Sequence, residues 1–71
     1  MRVRLSDPQR LRQLVDYLAF DQTVVVTPLS DHEIEVAFIG SLSQTGQVME
    51  TELRLRAWLA AHPDMIVTMS E

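Results

Sequence analysis

Along this chain the spacing of apolar residues changes between the two-residue period of a strand and the three-to-four-residue period of a helix, in the order strand, helix, strand, strand, helix, strand. Met1, Val3 and Leu5 alternate with Arg2, Arg4 and Ser6, which predicts a first strand with one buried face. Ser6-Asp7-Pro8-Gln9 then carries two overlapping helix-start signals. Ser6 and Gln9 have the spacing of a capping box, and Asp7 followed by Pro8 places proline in a first turn. Leu11, Leu14, Val15 and Leu18 recur on one helical face while Arg10, Arg12, Gln13 and Asp16 occupy the other, and this helix is expected to end near Phe20.

The segment Thr23 to Leu29 is β-branched but contains Pro28, which lacks the amide proton a central ladder needs, so the second strand is expected at a sheet edge. Ser30-Asp31-His32 supplies a turn. Glu33 to Ile39 alternates strictly, with Ile34, Val36 and Phe38 on one side and Glu33, Glu35 and Ala37 on the other. Gly40 to Gly46 is expected to be a polar loop interrupted only by Leu42. A second helix is predicted from about Gln47 to His62, with Glu50 and Arg54, and Glu52 and Arg56, as i,i+4 ion pairs and Pro63 marking its exit. Val48, Leu55, Trp58 and Leu59 form one apolar stripe on it, and Met49, Leu53, Ala57 and Ala60 form a second. Met65 to Met69 completes the pattern as a short strand.

This order is the βαββαβ arrangement, so the fold class expected is α+β: a ferredoxin-like two-layer sandwich, one domain over residues 1–71. Right-handed crossovers put both helices on one face of a four-stranded antiparallel sheet, with the first and third strands central and the second and fourth at the edges. One stripe of the second helix can cover such a sheet, and the other needs either the first helix or another chain.

Two local patterns, Ser6-Asp7-Pro8 after the opening strand and the late-helix series Leu53, Leu55, Arg56, Trp58, Ala60, His62 and Pro63, resemble a set of short uncharacterised proteins common in actinobacteria. The similarity covers most of the chain. It implies no activity, cofactor or catalytic residue. The topology is also similar to that of ACT, RNA-recognition, heavy-metal-associated and acylphosphatase domains, which share architecture and not chemistry.

The residue inventory argues against each of those chemistries. The chain has no Cys, so it lacks the thiolates of a soft-metal carrier, and no Asn, which an acylphosphatase uses to position water. The net charge is −4 and Glu33 and Glu35 take the outward positions of the third strand, where Arg2 and Arg4 can pair with them. That face is not an aromatic, basic platform for nucleic acid. An ACT-like site uses backbone amides after the first strand, and Pro8 removes one of them. Ser30, Asp31 and His32 are the residue types of a nucleophilic relay, but adjacent turn residues cannot line up their side chains in series. His32 and His62 are 30 positions apart with no neighbouring ligands, so no metal site is expected, and no catalytic or cofactor-binding residue is assigned.

No apolar run approaches the roughly 20 residues that span a bilayer, so a membrane role is not expected and the protein reads as cytoplasmic. A domain of this length buries only about 60% of its unfolded surface. Burial against a second chain is the remaining way to add apolar contact. Val25, Ile39, one of Ile66 and Val67, and one helical stripe exceed what a single two-layer packing must cover. The expected function is a non-catalytic interaction module, a homodimer or a partner of another protein, with Trp58, His62, Val25 and Ile39 as the candidate patch. The alternative is a small-molecule binder or small enzyme related to dimeric α+β barrels, built around one His.

Overall fold

The computed structural model describes residues 1–40 and 43–70. The strands are β1 (Arg2–Leu5), β2 (Val24–Pro28), β3 (Glu33–Phe38) and β4 (Val67–Ser70), and the helices are α1 (Leu11–Ala19) and α2 (Gln44–Ala61). The class is α+β. All strand pairs are antiparallel and the sheet order is β2-β3-β1-β4, so Pro28 lies in an edge strand.

The alternation in β1 and β3 buries Val3, Leu5, Ile34 and Val36, and these join Leu11, Leu14 and Leu18 of α1 and Leu55 and Trp58 of α2 in a single core cluster. Both helices therefore cover the same sheet face. Val67 and Met69 stand opposite Leu5 and Val3 and pack at the margin of this core. On the far face, Arg4 lies 3.9 Å from Glu33, while Arg2 stands in register with Glu35.

Of the two start signals before α1, Asp7 is the one used. Its carboxylate accepts the Gln9 N–H at 2.9 Å and caps a 3-10 turn, Pro8–Arg10, that leads into α1. Ser6 serves the sheet instead: its N–H donates to the Ile66 carbonyl and its hydroxyl accepts the Ile66 N–H, both at 3.0 Å. The capping-box reading of Ser6 and Gln9 is thereby corrected.

The start of α2 also differs from the expected Gln47. Ser43 caps the helix by accepting the Gly46 N–H at 3.1 Å, so Gln44, Thr45 and Gly46 belong to its first turn. Glycine is tolerated at the end of a helix, where packing does little to fix the backbone. Gly40, at φ +117°, is the glycine whose left-handed freedom the chain needs, where it leaves β3. Residues 41–42 of the expected loop, including Leu42, lie outside the described residues.

A polar staple ties α2 to the loop before β2. Asp21 accepts hydrogen bonds from the Thr23 N–H and hydroxyl at 2.9 and 2.7 Å and from Arg54 at 2.8 Å. Arg54 in turn lies over the Phe38 ring, 5.3 Å from its centroid. The Thr23 backbone donor, then its hydroxyl, then Arg54 hold the Asp21 carboxyl down to about 2 from 3.8. A depressed carboxyl stabilises the fold above its unfolded value and loses that contribution as pH falls toward its folded one. Between pH 4 and pH 2 the melting temperature of the native protein should therefore fall more steeply than that of Asp21→Asn. Parallel curves would show that the staple carries no linked stability.

Candidate interaction surface

The four residues of the sequence-derived patch fall into two separate places. Trp58 is 4% exposed and belongs to the core, and His62 follows it by one helical turn, with the rings stacked at 4.1 Å and 20°. His62 Nδ1 donates to the Trp58 carbonyl at 2.9 Å, satisfying an oxygen that the end of α2 leaves without a helical partner. This pair finishes a helix and offers its aromatic surface inward. Val25, 43% exposed, lies instead on the sheet face turned away from the helices, and Ile39, 65% exposed, follows the end of β3, where its N–H donates to the Thr23 carbonyl at 2.8 Å.

His32 sits in the β2–β3 turn, where its N–H donates to Ser30 Oγ at 3.2 Å, the hydrogen bonding of a turn. Among the described residues no group of three or more His, Cys, Asp or Glu is placed to hold a metal ion, and no helix is long and apolar enough to cross a membrane. A shallow groove of about 570 Å³ between α1 and the end of β2 is floored by Leu11, Val15 and Pro28. Of its rim charges, Arg12 and Asp16 are paired at 3.5 Å, and Asp31 lies on the turn side.

The two sheet edges are chemically unlike. Pro28 ends β2, whereas β4 reads Val-Thr-Met-Ser, without proline or charge. Strand edges normally carry such guards because their open N–H and C=O groups recruit other strands. The hydrogen bonding says which groups are open. Just beyond the β1–β4 ladder the Ser6 N–H donates to the Ile66 carbonyl, so by alternation Thr68 and Ser70 also face β1, and the N–H and C=O of Val67 and Met69 point out of the sheet.

Beside this edge runs a groove of about 270 Å³ between β4 and α2. Leu55, Leu59, Val67 and Met69 line it, with Glu52 and Arg56 on the helix side. Those two side chains are ion-paired at 2.8 Å and also border a second shallow groove with Met49 and Leu53, which are 59% and 57% exposed. An open strand edge, a half-covered apolar trough and exposed helix hydrophobes thus lie together. The sequence points to the exposed sheet face, an edge strand or the second helical stripe as places for a partner, and names Val67 only as an alternative to Ile66; it does not single out Thr68, Met69, Glu52 or Arg56. The available signal is the contrast between the proline in β2 and its absence from β4. Comparison with protein-family models, curated proteins and solved structures gives no match.

Proposed function

We propose that this chain is a self-associating interaction module of ferredoxin-like architecture, in which the β4 edge pairs with the same edge of a second copy. The observation that carries the reading is the asymmetry of the sheet: one edge ends in proline, and the other presents the open backbone of Val67 and Met69 beside an apolar trough. Antiparallel pairing of β4 with itself sets Val67 opposite Met69 of the second copy, twice, with each pair exchanging both N–H···O bonds, and sets Thr68 beside its own mate. The two sheets become one.

Energetics support the same conclusion. A small domain gains apolar burial from a partner that its own core cannot supply. Val67 and Met69 are only partly covered by the chain's own core, and strand pairing would cover them. Sedimentation at micromolar concentration is the test. The expected species has twice the chain mass of 8.1 kDa. A single 8.1 kDa species across the concentration range would overturn the proposal.

A further inference from the structure

Resting on that reading, we infer that the dimer is held in register by a self-complementary seam on α2, formed by Met49, Glu52, Arg56 and Leu59, in which Glu52 of each copy meets Arg56 of the other. These positions follow 3-4-3 spacing, which lines up side chains along one flank of a helix as the a and d positions of a heptad do. The flank is the one beside β4, because Glu52, Arg56 and Leu59 border the same groove as Val67 and Met69. Met49 joins Glu52 and Arg56 along the adjoining groove.

A two-fold axis through the paired Thr68 residues reverses β4 and α2 together. The groove places Thr68, between Val67 and Met69, at the level of the Glu52–Leu59 stretch of α2, so the same axis passes beside the middle of the seam. Antiparallel helices centred there bring Met49 against Leu59 and Glu52 against Arg56, and the symmetry repeats each contact. The seam reads apolar, acidic, basic, apolar, which is complementary to its own reversal. A seam of like charges would not be. The intrachain pair at 2.8 Å becomes part of a four-charge cluster with apolar contacts at either end.

The chemistry also selects the occupant. An apolar trough alone would accept many partners, whereas alternating charge in this order is matched by an antiparallel copy of itself. Glu52 and Arg56 are both well exposed in the single chain, so changing them leaves its core intact.

Charge exchange provides the test. Glu52→Arg places two arginines in the seam of each copy, and Arg56→Glu places two glutamates. Each variant alone should dissociate about tenfold more easily than the native chain, because like charges then face each other across the axis. An equimolar mixture should form heterodimers with an affinity within about threefold of the native dimer, since the paired arginines of one chain then meet the paired glutamates of the other. Arg12→Glu, on α1, should leave association unchanged. Native dimers with unaffected variants, or weakened variants that the mixture does not rescue, would overturn the seam and leave self-association standing. A native monomer would overturn both.

Discussion

Trp58→Ala should destabilise the protein by about 3–5 kcal/mol, the cost of emptying a buried aromatic site, and in so small a domain that is enough to unfold most of the population. The side chain is 4% exposed and shares its core cluster with Leu14, Leu18 and Ile34. Its removal also exposes one face of His62, whose ring stacks on it at 4.1 Å. Collapse around the gap is limited because the facing residues come from the sheet as well as from α1, and neither can move without breaking its own hydrogen bonds. Far-UV circular dichroism in a urea titration measures the effect without relying on the lost fluorophore. A midpoint unchanged from that of the native chain would mean that α2 does not seat Trp58 against the sheet.

The strand and helix order was legible because burial on one face leaves a period in the sequence. Ile34, Val36 and Phe38 alternate because β3 has one covered side, and Leu11, Leu14 and Leu18 follow the turns of α1 for the same reason. Pro28 marked an edge through its missing N–H. Element ends were harder, because they depend on single hydrogen bonds. Ser6 has the spacing of a cap but bonds Ile66, a residue 60 positions away, and no local pattern contains that contact. Gly46 looks like a loop residue until Ser43 caps the turn that contains it.

The candidate surface was less legible still. Exposed hydrophobes can be counted in a sequence, but their neighbours cannot. Trp58 and Val25 share the candidate patch on sequence grounds, and the fold puts one in the core and the other on the opposite side of the sheet. The β4 edge depends on which backbone groups point outward, and that follows from the register of β4 against β1. Thr51 shows the same limit inside the core. It is fully buried on the inner face of α2, where its hydroxyl donates to the Gln47 carbonyl at 2.8 Å, so a polar residue occupies a position that the apolar stripe does not mark.

The proposed pairing of β4 with its own mate makes a demand on one pair of Cα atoms. Thr68 faces β1 with its backbone and projects its exposed side chain from the far face of the sheet, so it can be replaced without disturbing the core. Across the proposed axis Thr68 and its mate form a non-hydrogen-bonded antiparallel pair, with Cα atoms about 4.5 Å apart. That distance lies within the range a disulfide spans. The native chain has no cysteine, so the only protein thiol that a single introduced cysteine can pair with is that of another copy, and glutathione adducts are separated from it by mass. Thr27→Cys, on the proline-containing edge strand, is the matched comparison. The deciding measurement is therefore the covalent dimer formed by Thr68→Cys and by Thr27→Cys in the same glutathione redox buffer, read by mass spectrometry. Pairing through β4 predicts that Thr68→Cys becomes predominantly a covalent dimer while Thr27→Cys stays a monomer. Equal, low cross-linking of the two variants would contradict it.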